Sequence, residues 1–540
     1  MSKSIFLTTP LYYVNAAPHI GHSYTEIAAD AFARYHRLKG QEVFLLTGTD
    51  EHGQKIAQAA AAAGETPQVF VDRVVIHFQA LWRLLNIQYD DFIRTTQPRH
   101  EQAVQQVLVK LRDDGKLVRA SYQGWYCTPE ETFWTEAELV DGSSSGKPLC
   151  PSCQRPLDPV QEEGWHLPLR SVQPWLVQFV KAHPTFVRPQ SRYNELASLL
   201  QQPLPESLCI TRPKSRVPWG IPVPFDPDHV VYVWFDALLN YITAPGFPMD
   251  LNRFQRVWPA DVHFIGKDIL RHHALYWPIM LHALGFPDDA MPKTILAHGW
   301  WKVGEQKMSK SLGNIVDPTV VIGQILKSQP YAADIYRYFL LREVPFGQDG
   351  SFSEDALFTR LDADLANDLG NLVNRTLSMI ERYCQGKIPK AGAVGCAVDD
   401  EPLRQAAVRL AAVVDDAMSR AEFSGALEAI MRVVSQANRY IEVVAPWKLA
   451  KQADAAARLH AVLRMLAEVI RVVSLTLEPF MPSISNAIWQ QLGCDNTPRR
   501  LDEAMEWPAL TAEQPIGAHP VLFPRGEAIP KSKIQNPKLP

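Results

Sequence analysis

Two short clusters carry side chains beyond what a surface turn needs. Pro18-His19-Ile20-Gly21-His22 sets two imidazoles on either side of a glycine where a helix-period segment begins. Backbone N–H groups at a helix N-terminus carry positive potential, so an anion such as phosphate is favoured there. Lys307-Met308-Ser309-Lys310-Ser311-Leu312-Gly313-Asn314 places two lysines and two serines beside a glycine, a cationic loop able to fold over a polyphosphate. Taken singly, the first reads equally as a turn with two surface histidines and the second as a solvated loop. Flanking the two halves of one parallel sheet, they point together to phosphate handling.

Other signals are weaker. Gly142 to Lys147 imitates a phosphate loop, but the glycines are one residue too close and Pro148 stands where Ser or Thr is needed. No G-x-G-x-x-G follows a strand candidate, so a dinucleotide site has no support. Cys150-Pro151-Ser152-Cys153 is half of a four-thiolate zinc knuckle, and Cys127 begins the other half, yet Glu130 occupies the matching position three residues on. The expectation is a metal-free, packed remnant, with zinc on Cys127, Glu130, Cys150 and Cys153 as the alternative.

The elements that must position these groups are legible in outline. Ile5–Thr9 and Val43–Thr47 are strand candidates separated by a helix-period segment, Tyr24–Leu38, that Gly40 is placed to stop. Strand, helix, strand at this length predicts a right-handed βαβ unit and a parallel sheet. Val230–Trp234, Val262–Ile265 and Thr294–Ala297 are expected to supply the second half of that sheet. Such sheets bind ligands at the carboxyl ends of their strands, where the polar clusters fall. Between the halves, aromatics, prolines and paired cysteines indicate an inserted domain. Beyond residue 355 the pattern turns helical: Leu365, Leu369, Leu372, Thr376 and Met379 keep 4-3-4-3 spacing, as do Leu403, Ala407, Leu410, Val414 and Ala417, and Leu427, Ile430, Val434, Ala437 and Ile441. The predicted fold is α/β: a Rossmann-like first half (1–115), an inserted connective domain (116–225), a second half (226–354), an all-α helix bundle (355–528) and a C-terminal tail (529–540).

With 540 residues the chain exceeds one hydrophobic core, and 46% apolar with 21% charged residues excludes wholesale disorder. The most apolar stretch, Leu459 to Leu477, is interrupted by Arg464, Glu468 and Arg471, so no membrane span is expected. The first residues show no signal peptide, and seven scattered cysteines fit reduced thiols, hence a cytoplasmic protein. A net charge of −4 means that nucleic-acid binding would rest on local basic patches.

The histidine and lysine clusters resemble the two signatures of the class I aminoacyl-tRNA synthetases, from residue 5 to about 315. Leu11-Tyr12-Tyr13-Val14-Asn15, Gly48-Thr49-Asp50-Glu51-His52-Gly53, Trp219-Gly220-Ile221-Pro222-Val223-Pro224, Tyr232-Val233-Trp234-Phe235-Asp236-Ala237, Phe264-Ile265-Gly266-Lys267-Asp268 and Arg271-His272-His273 are similar to the methionyl-tRNA synthetase family. The resemblance covers nearly the whole chain. It implies ATP-dependent activation of methionine and its transfer to tRNA(Met). By that resemblance His19, His22, Lys307 and Lys310 act in catalysis, and His19, Gly21, His22, Asp268 and Lys310 bind ATP with Mg²⁺ on the phosphates. Methionine lies against Leu11, Tyr13, Asp50, Trp234, Ala237, Leu238, Tyr241 and His273, while Asn371, Arg375 and Trp447 read the anticodon. Physical chemistry agrees, since aromatic walls suit a thioether and a carboxylate such as Asp50 can hold an α-ammonium. The chain carries no β-rich extension after the bundle, so a short, monomeric form is expected. The rivals are a class I synthetase for another amino acid and a non-catalytic tRNA-binding relative.

Overall fold

The computed structural model describes residues 3–128, 131–134, 136, 139–140, 147–151, 153–304, 306–307, 315–390, 399–494 and 499–524. Its contacts divide the chain into two compact units, residues 1–18, 42–81 and 88–298 in the first and residues 19–41, 82–87 and 299–540 in the second.

The first unit is built on a seven-stranded sheet ordered Tyr12–Tyr13, Val43–Asp50, Ile5–Thr8, Val262–Gly266, Ile295–His298 and Val187–Arg188, with Asp91–Arg94 also paired to Val43–Asp50. Every pairing in it is parallel. Parallel strands are covered on both faces and need continuous apolar runs, which Ile5-Phe6-Leu7 and Val43-Phe44-Leu45-Leu46 provide. The expected pairing of the first strands holds, with Ile5 opposite Val43 and Thr8 opposite Leu46. Two of the three strands expected for the second half are also present.

The third is not. Asp226–Val231 pairs antiparallel with Thr211–Pro213 and Pro222–Val223 in a separate small sheet, and from Val233 the chain is a helix, Val233–Thr243. That helix is buried on almost all sides, so its apolar run lacks the amphipathic period that separates helix from strand. The stretch read as an insertion also contributes to the main sheet. Val118–Cys127, Thr132–Trp134, Asp158–Pro168 and Ser207–Cys209 form a four-stranded antiparallel sheet, but Val187–Arg188 returns to pair with Ile295–Leu296 at the sheet edge.

In the second unit, helix Ile20–Leu38 begins four residues before the segment expected from periodicity, because His19 caps it. Ala332–Glu343 precedes a set of long helices, Asn371–Cys384, Glu401–Ser419, Phe423–Val444 and Ala456–Leu477. The predicted stripes on Glu401–Ser419 and Phe423–Val444 are buried throughout. In the first predicted stripe, Leu365 to Met379, Met379 is only partly buried, and Leu361–Gly370 is wound as a π-helix before α-helical geometry resumes at Asn371.

A buried cation ties helix Ile20–Leu38 to its own unit. The Arg337 side chain, 0% exposed, meets the Asp30 carboxylate at 2.7 Å and donates to the carbonyls of Leu85, Pro479 and Phe480 at 3.1, 3.0 and 2.9 Å. Asp30 also accepts from Arg34 Nε at 2.7 Å. Breaking such a buried pair by removing one partner costs about 3–5 kcal/mol, so it fixes the helix axis firmly. One turn from the helix end, the Tyr35 hydroxyl donates to the Asp415 carboxylate, which Lys39 Nζ also reaches at 2.6 Å.

Candidate active site

Strand Val43–Asp50 ends in a concentration of buried carboxyl groups, three of which are neutralised by their surroundings. Glu51 accepts from Arg94 Nε at 2.7 Å and Nη2 at 2.9 Å, and from the hydroxyls of Thr49 and Thr96 at 2.6 and 2.5 Å. Asp236 lies between His52 Nδ1 and His100 Nε2, each at 2.7 Å. Burial alone would raise Asp236, but these two imidazoles hold it below the usual carboxylate range. Glu131 accepts from the Tyr13 hydroxyl at 2.8 Å and from the Lys55 N–H at 2.9 Å.

Asp50 is different. It is 6% exposed and its Oδ1 accepts no hydrogen bond. Burial, reinforced by the negative charges of Asp236 and Glu131, pushes its carboxyl well above the ordinary value. An unmet acceptor in this setting favours a bound cation, because leaving it buried and unsatisfied costs about 1–3 kcal/mol or more.

Apolar and aromatic groups accompany it. On helix Val233–Thr243, Trp234, Leu238 and Tyr241 are spaced to share one face. Leu238 and Tyr241 belong to the unit's main hydrophobic core, against which Leu11, Tyr13 and Trp234 pack half-buried. Ala237 is buried beside Leu238. The Trp234 ring stacks on His272, with centroids 3.7 Å apart and planes 16° from parallel. The next histidine, His273, has a determined tautomer: its Nδ1–H donates to the Ile269 carbonyl at 3.0 Å, so Nε2 accepts from the Tyr241 hydroxyl at 2.8 Å. Burial pushes its pKa down to about 4, consistent with a neutral ring. Both histidines lie on the π-helical turn His272–Tyr276, a geometry that often marks functional positions. Asp268 is exposed in the short turn Lys267–Ile269, directly after the carboxyl end of strand Val262–Gly266.

In the second unit the histidine motif explains itself locally. His19 Nδ1 accepts the Gly21 N–H at 3.1 Å, and His22 Nδ1 accepts the His19 N–H at 3.0 Å. With each Nδ1 acting as acceptor, the proton of each neutral ring sits on Nε2. The rings stack 3.8 Å apart. A Cβ at position 21 would come within 3.0 Å of the His19 ring, so glycine lets that imidazole lie over the helix end. Lys307 ends the short strand Gln306–Lys307, paired with Trp301–Val303. Its side chain, and Lys310 with the rest of 308–314, lie outside the described residues.

Asn371 and Arg375 stand one turn apart on helix Asn371–Cys384. Arg375 pairs with Glu442 at 2.6 Å, and its guanidinium carbon lies 5.5 Å from the centre of the Trp447 ring. Trp447 is half-buried on the short helix Pro446–Leu449, entered through Ala445 in the left-handed region at φ 48°. The three residues expected at an anticodon site therefore lie on two helices, with Arg375 and Trp447 in contact.

The paired cysteines converge as well. The sulfurs of Cys127, Cys150 and Cys153 all lie within 4.8 Å of one another, with Cys127 and Cys153 at 3.5 Å. Thiolates around a tetrahedral zinc stand about 3.8 Å apart, given a Zn–S bond of about 2.3 Å, so the three fit three corners of such a site. Glu130 lies outside the described residues.

Sequence reasoning missed Glu131, His100 and the role of Asp236. Asp236 sits inside a quoted motif, but neither Glu131 nor His100 carries a local signal, since each matters only through a partner distant in the chain.

Similarity to known proteins defines the class. Residues 5–377 match the family model for tRNA synthetases class I (M) and residues 400–521 match that for the anticodon-binding domain of tRNA ligase, which define the class as a class I aminoacyl-tRNA synthetase. A methionine–tRNA ligase of Caldanaerobacter subterraneus is 45% identical over 97% of this chain and 79% of its own length. One from Bacillus subtilis is 42% identical over 98% and 78%. The solved Mycobacterium tuberculosis methionyl-tRNA synthetase in complex with methionyl-adenylate superposes with a TM-score of 0.91 at 40% identity, covering 97% of this chain and all of that one. The chain belongs to the methionyl-tRNA synthetase family.

Proposed function

We propose that the chain activates methionine with ATP and passes the methionyl group to the 3′ end of tRNA(Met) through the residues described. The observation that carries the reading is the unmet Asp50 carboxylate beside an aromatic face: a negative acceptor for the α-ammonium next to a wall suited to a thioether. Sulfur–ring contacts add about 0.3–1.5 kcal/mol each. Trp234, Leu11 and Tyr13 form that wall, and Ala237, Leu238, Tyr241 and His273 back it.

In the first step a methionine carboxylate oxygen attacks the α-phosphorus of ATP, the bond to the β-phosphate oxygen breaks, and pyrophosphate leaves. In the second, the tRNA 3′ hydroxyl attacks the activated carbonyl and AMP departs. Neither step needs an enzyme nucleophile; both need alignment and charge stabilisation. His19 and His22, each with N–H on Nε2, donate to the phosphate as charge develops, at a helix N-terminus that favours anions. Lys310, with Lys307, holds the leaving pyrophosphate, and Asp268 binds the ATP ribose. Mg²⁺ bound with ATP would supply further neutralisation of the phosphate charge.

The three converging thiols support zinc held by Cys127, Cys150 and Cys153 over the metal-free remnant expected from sequence. The protein acts in the cytosol, a reading supported by seven cysteines scattered without a disulfide-frame spacing; among the described residues no helix is long and apolar enough to cross a membrane.

Three outcomes follow. Methionine, not leucine, isoleucine, valine or cysteine, drives exchange of pyrophosphate into ATP, and His22→Ala and Lys310→Ala each slow it by roughly 10²–10³; full activity in either variant contradicts its role. Trp447→Ala weakens tRNA aminoacylation by about 5- to 150-fold, the range for losing one stacked base, while leaving exchange intact, because exchange needs no tRNA. Equal loss of both reactions with a lowered melting temperature makes Trp447 structural. Metal analysis of protein purified without chelator finds close to one zinc per chain, lost in Cys150→Ser; a content far below one equivalent returns the cluster to a packed remnant.

A further inference from the structure

Glu131 makes hydrogen bonds to three separate parts of the candidate methionine site, yet it has no place in the reaction as derived above. Its Oε1 accepts from the Tyr13 hydroxyl at 2.8 Å and from the backbone N–H of Lys55 at 2.9 Å. Its own carbonyl accepts from the Tyr232 hydroxyl at 2.6 Å. Tyr13 lies in the wall. Lys55 is in the first turn of helix Gln54–Ala62, only five residues past Asp50. Tyr232 caps the start of helix Val233–Thr243, which carries Trp234, Leu238 and Tyr241.

The local backbone is unusual. Glu131 has φ 47°, a left-handed conformation uncommon for a residue with a Cβ, in the turn between strands Val118–Cys127 and Thr132–Trp134. Such strain persists where the surroundings over-determine it, and it clusters at functional sites. Here it aims the carboxylate at the turn after Asp50. Gly53, at φ 107°, precedes helix Gln54–Ala62 without a side-chain cap; a Cβ there would stand 2.6 Å from Glu131 Oε2. The Glu131 side chain therefore takes over the satisfaction of that helix end.

We propose that Glu131 is a positioning residue for methionine binding. Its carboxylate holds the Tyr13 ring, whose hydroxyl it shares with the His52 carbonyl at 2.8 Å, and pins the helix that follows Asp50. It sets the shape and depth of the pocket without touching the amino acid. The inference rests on the reading of Tyr13 and Asp50 as methionine contacts.

The test is steady-state pyrophosphate exchange on the full chain, with methionine and ATP varied separately, for Glu131→Ala, Glu131→Gln, Tyr13→Phe and the Glu131→Ala/Tyr13→Phe double variant. Loss of a hydrogen bond to a charged group predicts a rise of about tenfold or more in the KM for methionine in Glu131→Ala, with the KM for ATP unchanged. Glu131→Gln, which keeps an acceptor oxygen, restores most of the loss. Because the two residues share one contact, the double variant is less than additive, its rise in methionine KM falling short of the product of the single-variant rises. Additive effects, or parallel rises in both KM values, overturn the proposal. Should Glu131→Ala fail to fold, the Glu131→Gln change decides in its place: a small rise confined to the methionine KM that shrinks in a Tyr13→Phe background supports the proposal, and no rise, or an equal rise in both backgrounds, overturns it. Wild-type exchange driven by methionine, with all variants unaffected, refutes the positioning role alone; absence of methionine-dependent exchange in the wild type refutes the functional reading beneath it.

Discussion

Four carboxyl groups are gathered at and beside the carboxyl end of one buried strand, and water does not screen them. Asp50, Glu51, Glu131 and Asp236 repel one another in a setting where each uncompensated charge is costly. Much of the first unit's polar architecture answers that constraint. Arg94 and two threonines answer Glu51, two histidines answer Asp236, and Tyr13 with a helix N–H answers Glu131. Of the four, only Asp50 keeps a fully buried oxygen that accepts nothing. The arrangement leaves one acceptor unmet where a cationic substrate group completes it, and supplies apolar walls for what that group carries.

The second unit solves a different problem, which is to hold a helix N-terminus and its two imidazoles in a defined orientation. Hydrogen bonds within the motif set the rings, and the Arg337–Asp30 pair, with the Tyr35 and Lys39 contacts to Asp415, sets the helix. Helix Ile20–Leu38 therefore belongs to the same compact unit as Arg375 and Trp447. An arginine with no solvent exposure and three carbonyl partners is a stringent device for this, since few other side chains can satisfy a carboxylate and three carbonyls at once.

What the sequence made legible follows from range. His19-Ile20-Gly21-His22 is a device whose ring-setting hydrogen bonds join neighbours, so its residue types and spacing suffice to find it. The strands Ile5–Thr8 and Val43–Asp50 are apolar runs with clear boundaries, and the stripes of the helices Glu401–Ser419 and Phe423–Val444 are amphipathic with a clear period. Val230–Trp234 misled because a helix buried all round has no stripe. Val187–Arg188 was hidden because a two-residue edge strand carries no pattern. Glu131 and His100 were invisible for a further reason: their meaning lies in Tyr13, 118 residues away, and Asp236, 136 residues away.

The central claim is that Asp50 is an open carboxylate kept for the methionine ammonium. In the free protein burial, and after it the charges of Asp236, Glu131 and Glu51, push its carboxyl well above the ordinary range, against a backbone hydrogen bond from His52. A bound ammonium favours the ionised form, so binding must release a proton wherever free Asp50 is still protonated. Calorimetric titration of methionine between about pH 5 and about pH 7, where its own ammonium stays charged, in buffers of different ionisation enthalpy, measures that proton directly. The account predicts proton release and an affinity that strengthens as pH rises toward the raised pKa of free Asp50 and levels off above it, with both effects lost in Asp50→Asn. Binding with no proton exchange across that range, or an affinity that weakens as pH rises, would contradict it.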